Sequence, residues 1–381
     1  MTQALDWRQL GDLPRLLDGS QAAPLIRELG LPVLAVRPNY LRLKPRESAL
    51  IGFEVDLPES TELGSAVPVY ARTFVDADRA ATVAEKMRSK RIIDSDLGPG
   101  VMSTPDGRTV LYVFPNDAEL SGVHRVVQLS KCLRMVADVR GFSSHHFSKS
   151  QSSLEVVRHR PERRVIVRLE LVEREARRSP VAVYVRWFGD GRGAVGNHIA
   201  EALAAAGVPV ATPIGTSRDG RLSVELAADG VDGTAALLNG SLDPDVIGAQ
   251  LAQLQSVEAT VSLTQRRSTT DMRIATALDA LDTLALVEPE LAGRACRLSL
   301  MLRRCPSKIG PAVGIHGDFH PGQVVLSPGR AVFIDFERFA LGDPIIDIAT
   351  MSAHVMATES ARSEDVFATF IDPMRLSLIH I

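Results

Sequence analysis

The chain has 381 residues, enough for two or three domains. Its 43 Lys and Arg nearly balance 46 Asp and Glu, which argues against a nucleic-acid footprint and against an acidic tail. Cys132, Cys296 and Cys305 are odd in number and not in metal-ligand spacing, the start MTQALDWRQLGDL has no basic region ahead of an apolar run, and no stretch of about 20 apolar residues occurs, so the expectation is a protein of the reducing cytoplasm without membrane or nucleic-acid partners.

Residues 1 to about 39 carry a helical pattern: Leu10, Leu13, Leu16 and Leu17, then Leu25, Ile26 and Leu29, ending at Gly30. From Tyr40 the chain turns strand-like. Tyr40 to Leu57 reads as two strands around Lys44-Pro45-Arg46-Glu47, Val67 to Phe74 as a third, and Arg108 to Phe114 as a fourth after the turn Pro105-Asp106-Gly107; residues 76–90 between the last two are helical by composition. The same order then returns. Val156 to Val172 is a strand pair around Arg160-Pro161-Glu162-Arg163, Val181 to Phe188 the next strand, Asn197 to Gly207 a helix, and Arg221 to Leu226 the strand after Asp219-Gly220. A period of about 115 residues aligns Pro45 with Pro161, Tyr70 with Tyr184 and Gly107 with Gly220, as an internally duplicated β module requires; two unrelated antiparallel sheets are the alternative.

From Gly233 onward the spacing is helical. Asp243 can cap a helix with Pro244 at its first position; Ile247, Leu251 and Leu254 line one face of it. Ile274, Leu278 and Leu281 mark a second helix, and Leu291, Ala295, Leu298 and Leu302 a third. The stretch Gly314 to Ala349 breaks this pattern. His316-Gly317-Asp318 is a polar cluster at a glycine, Val324 to Leu326 a short strand, Ser327-Pro328-Gly329-Arg330 a turn, and Ala331 to Phe336 the returning strand, with a helix from about Pro344 to Met356. The hairpin brings Asp335 back to the loop from Asp318 to Gln323, so that two carboxylates and an amide oxygen meet. That set suits phosphoryl transfer: Asp318 as base toward an acceptor hydroxyl, Gln323 and Asp335 as oxygen ligands of Mg2+.

His316-Gly317-Asp318 with Gln323, then Ile334-Asp335-Phe336-Glu337, then Gly342-Asp343-Pro344 with Asp347, resemble the pattern H-G-D-x-x-x-x-N, I-D-[FW]-[DE], G-D-P-x-x-D of the aminoglycoside phosphotransferase family of kinase-like small-molecule phosphotransferases. Gln323 replaces the family's Asn and keeps the amide oxygen; His316-Gly317-Asp318-Phe319-His320-Pro321-Gly322-Gln323 resembles an actinobacterial-type subgroup. The resemblance implies an α+β, bilobal protein-kinase-like fold with a β-rich N-terminal half and a helical C-terminal lobe. With the first copy of the duplicated module read as a cap or packing partner, three parts are expected: a cap module (1–150), a nucleotide-binding N-lobe (151–232) and a C-lobe carrying the catalytic loop (233–381). The resemblance also implies transfer of the γ-phosphate of ATP or GTP, with Mg2+, to a hydroxyl of a sugar, aminoglycoside or amino alcohol.

By the same resemblance Arg186, in Val183 to Phe188, stands at the family's phosphate-binding lysine. Glu201 on the next helix is the acid to pair with it, and Leu226 and Ala227 lie where backbone groups meet adenine. His316, Asp343 and Asp347 take structural roles beside the site. The arginines of Arg158 to Arg168 read as a solvated hairpin or, since this hairpin covers the nucleotide in the kinase layout, as contributors to phosphate binding. Two other functions compete: a silent kinase-like nucleotide-binding protein, given Arg186 and Gln323, and a metal-dependent hydrolase using His316, Asp318 and His320. The last six residues, LSLIHI, are what one reading frame of a transposon-end sequencing adapter encodes, so the natural chain is expected to run on past about Arg375.

Overall fold

A computed structural model describes residues 10–44, 47–61, 64–88, 92–94, 98–139, 147–173, 180–258, 262, 264–287, 289–305 and 312–359. Residues 376–381 lie outside the described residues, as do residues 45 and 46 of the first predicted turn and the end of the helix predicted to reach residue 90. The chain folds as two compact units: residues 1–128, 156–165 and 278–302 make up the first, and residues 129–155, 166–277 and 303–381 the second.

The N-terminal leucine pattern folds as helices α1 (Leu13–Leu17) and α2 (Gly19–Glu28), the latter capped by the Asp18 carboxylate on the Ser20 N–H. Strands β1 (Ala35–Lys44), β2 (Ser48–Thr61) and β3 (Gly64–Phe74) follow, then α3 (Ala77–Arg88), β4 (Val101–Ser103) and β5 (Thr109–Val113). They form an antiparallel sheet in the order β1-β2-β3-β5-β4. Tyr70 on β3 and Tyr112 on β5 are register partners whose rings stack at 4.6 Å, and every residue of β5 is buried. Helices α4 (Val123–Val126) and α5 (Leu129–Ala137) come next in the chain.

A second antiparallel sheet uses β6 (Ser153–Arg160), β7 (Arg164–Leu171) and β8 (Val181–Phe188), then α6 (Arg192–Ala205), β9 (Pro213–Thr216) and β10 (Leu222–Leu226), in the order β6-β7-β8-β10-β9. Each module thus has its helix between the third and fourth strands and its last two strands interchanged in space. Alternation is plain in β7, where Val165, Val167, Leu169 and Leu171 are fully buried and Ile166, Arg168 and Glu170 are not. The sequence pattern predicts four strands per module and misses β4 and β9, which have three and four residues and too few positions for a period to register.

The remaining elements are β11 (Val231–Asp232), α7 (Gly233–Leu238), α8 (Pro244–Gln255), β12 (Arg267–Ser268), α9 (Thr270–Val287), α10 (Ala292–Leu302), β13 (Val313–Ile315), β14 (Val324–Ser327), β15 (Arg330–Phe333), β16 (Ala340–Gly342) and α11 (Ile345–Glu359). Asp243 caps α8 by accepting the Asp245 and Val246 N–H groups, with Pro244 at its first position. The expected hairpin is β14–β15, with Gly329 at φ 68 in its turn. It pairs with β11 in one three-stranded sheet, while β12-β16-β13 form another. Ile247 and Leu251 of α8, Ile348 and Met351 of α11, and Phe319, Val324, Phe333, Phe336 and Phe339 around the hairpin share one buried core. Of the stripe predicted on α10 only Ala295 is buried; Leu298 is exposed. Among the described residues no helix is long and apolar enough to cross a membrane.

Candidate active site

The Asp318 loop is built by Asp347. This carboxylate, fully buried on α11, accepts the backbone N–H of His316 at 2.8 Å and of Gly317 at 2.9 Å. Burial pushes its carboxyl above the usual range, against the His316 side chain and the two amides, which lower it. His316 is fully buried and its Nε2 donates to the Ile334 carbonyl at 2.9 Å, so this nitrogen ties the loop to the hairpin. Gly317 sits at φ 79, where a Cβ would lie 2.2 Å from the Arg338 carbonyl oxygen; only glycine fits. Asp343 accepts the Ile345 N–H at 3.1 Å and so opens α11.

Held this way, Asp318 keeps a partly exposed carboxylate with Arg338 Nη1 at 3.5 Å from Oδ1. Arg273 donates to the Gly317 carbonyl at 2.6 Å and to Ser268 Oγ at 2.8 Å, which brings a second guanidinium to the same loop. Sequence reasoning missed both arginines: Arg338 is 20 residues from Asp318 and Arg273 is 44 from Gly317, and no local pattern announces either.

The strand carrying Asp335 stops earlier than predicted, at Phe333, and Asp335 itself lies just beyond it at φ 68 and ψ 66. A left-handed aspartate costs on the order of 1 kcal/mol or more and persists where surrounding contacts over-determine it. The hairpin fixes its neighbours: Ile334 N–H donates to the Gln323 carbonyl at 3.1 Å, and Gln323 N–H to the His320 carbonyl at 2.8 Å. The buried Gln323 amide therefore faces Asp335, its Nε2 3.5 Å from Oδ2 and 3.2 Å from His320 Nε2. A half-turn about its last bond would present the amide oxygen instead. Carboxylate and amide oxygens are the donors a hard divalent cation takes, with phosphates and water completing its shell. His320 stacks on His354 at 4.5 Å; burial, then the His354 charge, lowers its imidazole to about 4. Among the described residues no group of three or more His, Cys, Asp or Glu could hold a metal.

Arg186 lines a cavity with Asp335, Phe336 and Glu337. It is buried and directly opposite Ser223. Its ion-pair partner is Glu225, two residues along β10 on the same face, and not Glu201, whose carboxylate instead accepts from Asn197 one turn earlier on α6 at 2.7 Å. The sheet delivers the acid because register puts it diagonally across from Arg186. Burial acts to lower the guanidinium, but Glu225 first and then Asp335 and Glu337 outweigh it and hold it charged. The cavity beside it is about 20 Å³, room for a single water. Leu226 and Ala227 follow on β10 and just after it, but their N–H groups donate to the Thr212 and Ala182 carbonyls, both at 2.9 Å, and so have none to offer an adenine edge.

Residues 147–373 match the family described as the phosphotransferase enzyme family. Similar solved structures include a macrolide 2′-phosphotransferase from Brachybacterium faecium, 15% identical over 66% of this chain and 83% of that one, TM-score 0.47. A choline/ethanolamine kinase family protein from Mesorhizobium loti is 14% identical over 66% and 76%, TM-score 0.45. A glucosamine kinase solved with glucosamine, ADP and inorganic phosphate is 18% identical over 78% and 83%, TM-score 0.42.

Proposed function

Because this chain belongs to the phosphotransferase enzyme family, a family of enzymes that phosphorylate small molecules, we propose that Asp318, Gln323, Asp335 and Arg186 form its reaction centre. The reaction is transfer of the γ-phosphoryl group of ATP or GTP to a hydroxyl of a sugar, an aminoglycoside or an amino alcohol, carried out in the cytoplasm. The observation that carries this reading is the meeting of the Gln323 amide with the Asp335 carboxylate at 3.5 Å, beside a loop that holds Asp318 partly exposed.

Asp318 orients the acceptor hydroxyl and takes its proton as the oxygen attacks phosphorus; the bond from phosphorus to the bridging oxygen breaks and the nucleoside diphosphate leaves. Arg338 limits the positions Asp318 can adopt. Arg186 holds phosphate oxygens from β8, kept in place by Glu225. Asp335 and Gln323 would hold Mg2+, which would supply positive charge against the phosphate oxygens. The three-part division (cap module 1–150, N-lobe 151–232, C-lobe 233–381) rests on a duplication that the shared strand order of the two sheets supports.

A nucleotide-consumption screen over candidate acceptors tests the reading. Asp318→Asn should lower turnover by roughly 10²–10⁴ while nucleotide affinity stays near normal. Unchanged phosphorylation by that variant would remove Asp318 as the base. A second reading is nucleotide binding without turnover, favoured by the arginine at 186 and the glutamine at 323 where the family pattern has lysine and asparagine. Saturable ATP binding with no acceptor consumed across the screen would select it.

A further inference from the structure

Three arginines gather at Asp318, all within the second compact unit. The sheet β12-β16-β13 brings them there. Ile315 at the end of β13 pairs with Ala340 at the start of β16, so the chain leaving toward Asp318 runs beside the chain arriving from Arg338. Strand β12 runs parallel to β16 with Arg267 opposite Leu341, and the Leu341 N–H donates to the Arg266 carbonyl at 2.9 Å, which sets Arg266 at the same edge. Arg273 follows in the first turn of α9.

The side-chain contacts agree with this placement. Arg338 Nη1 lies 3.5 Å from Asp318 Oδ1, with 43% of its side chain exposed. Arg266 is exposed and donates from Nη1 to the Glu337 carbonyl at 3.2 Å. Arg273 donates to the Gly317 carbonyl at 2.6 Å, one residue before Asp318. Burial first, then the charges of Arg338, Arg273 and Arg192, lower the Arg266 guanidinium, against Asp318, which raises it. Arg192 has its own carboxylate in Asp190. Among the described residues Asp318 is the one carboxylate that forms an ion pair with any of Arg266, Arg273 and Arg338. Asp335 and Glu337 line the cavity with Arg186, on which their charges act.

One carboxylate thus faces three permanent cations. A guanidinium carries more N–H donors than the bonds named here use. An acceptor whose hydroxyl meets Asp318 comes within reach of Arg338, whose guanidinium is already beside that carboxylate. An ammonium on the acceptor would meet like charge there. A carboxylate or phosphate would meet planar donor forks that match its oxygens.

We propose that Arg338 and Arg266 form a subsite for an anionic group of the acceptor, so that the phosphorylated hydroxyl belongs to a carboxylate- or phosphate-bearing sugar or polyol and not to an aminoglycoside or amino alcohol. Arg273, with its donors on Gly317 and Ser268, holds the loop. The inference rests on the reading of Asp318 as the base and narrows its acceptor class.

The test uses two matched sets of hydroxyl compounds: glucuronate, glucose 6-phosphate, glucose and glucosamine on one ring, and the smaller glycerate, glycerol and ethanolamine. Binding to the full chain is read by NMR titration with Mg2+ and a non-hydrolysable ATP analogue present, and transfer by nucleotide consumption with ATP. In at least one set the acid should bind and turn over ahead of the neutral and cationic members; glucuronate and glucose 6-phosphate separate carboxylate from phosphate as the group recognised. Arg338→Gln and Arg266→Gln, the latter keeping a donor for the Glu337 carbonyl, should each weaken the preferred acid roughly tenfold to a hundredfold. Arg266→Lys, which keeps the charge, should recover part of that loss. No preference for an acid in either set overturns the inference, as does equal affinity for the preferred acid in wild type and both glutamine variants. A loss of affinity for the ATP analogue in place of the acid also overturns it, since the arginines would then serve the nucleotide. Turnover of glucosamine or ethanolamine ahead of the acids overturns it and leaves the phosphotransferase reading standing. Arginine-dependent binding of an acid with no turnover of any acceptor upholds the subsite and sinks the phosphotransferase reading.

Discussion

Asp347→Asn probes how the Asp318 loop is built. The wild-type carboxylate accepts two backbone N–H groups at 2.8 and 2.9 Å in a fully buried site, with Gln255 Nε2 at 3.5 Å as a weaker third donor. An asparagine offers one acceptor oxygen and turns its NH2 toward the second amide, leaving that donor unsatisfied. A buried unsatisfied donor costs about 1–3 kcal/mol, and replacing a charged acceptor by a neutral one at the first amide costs about another 1 kcal/mol. Removing a buried charge returns part of this, since burial raises the Asp347 carboxyl. The net expectation is a loss of about 2–3 kcal/mol, read as a lower urea midpoint at unchanged m value. Because both amides belong to His316 and Gly317, turnover should fall as well while nucleotide affinity is retained. A variant as stable as wild type would refute the claim that Asp347 organises the loop.

Asp335→Asn should weaken Mg2+-dependent nucleotide binding itself, measured as ATP affinity with and without the metal, whereas Gln323→Asn should retain a part of wild-type turnover because the amide oxygen is kept one methylene shorter. Phe319→Ala, at a fully buried ring in T-shaped contact with Phe333 at 5.1 Å, should cost about 3–5 kcal/mol in denaturant unfolding. Burial raises the Asp117 carboxyl, but the His159 hydrogen bond and charge, then the Glu162 and Leu120 amides, lower it by more, so it titrates below the unfolded value of about 3.9. The folded state then binds fewer protons, its stability is fully present above about pH 4 and is lost as pH falls through the depressed value. Asp117→Asn should flatten that acid limb in thermal melts taken between about pH 5 and pH 3.

What could be read from the sequence was local. The β14–β15 turn follows from Pro328-Gly329, because the turn needs a fixed φ and then a positive one, and the cap of α8 follows from Asp243-Pro244. The approach of Gln323 to Asp335 was legible because a hairpin is the shortest way to return a chain to its starting loop. Long-range choices were not. Glu225 rather than Glu201 pairs with Arg186 because of strand register, which no residue declares by type. The commitment of the Leu226 and Ala227 amides is a backbone fact with no side-chain signature. The exposed face of α10 shows that helical spacing identifies a helix without saying how much of its apolar stripe is covered.

The two departures from the family pattern, arginine at 186 and glutamine at 323, bear on the same carboxylate. Asp335 is the acid whose charge reaches Arg186 after Glu225, and its Oδ2 is the atom the Gln323 amide faces. On the proposed reading each change lengthens a side chain beside Asp335 and keeps the group that reading assigns it: a permanent cation in one case, an amide oxygen in the other. A longer, planar cation reaches further and needs a second anchor, which Glu225 supplies from β10. A longer amide needs its backbone held, which the Ile334 and Gln323 N–H bonds do. On the proposed reading the geometry around Asp335 is adjusted on both sides by residues whose support comes from the strands beside them.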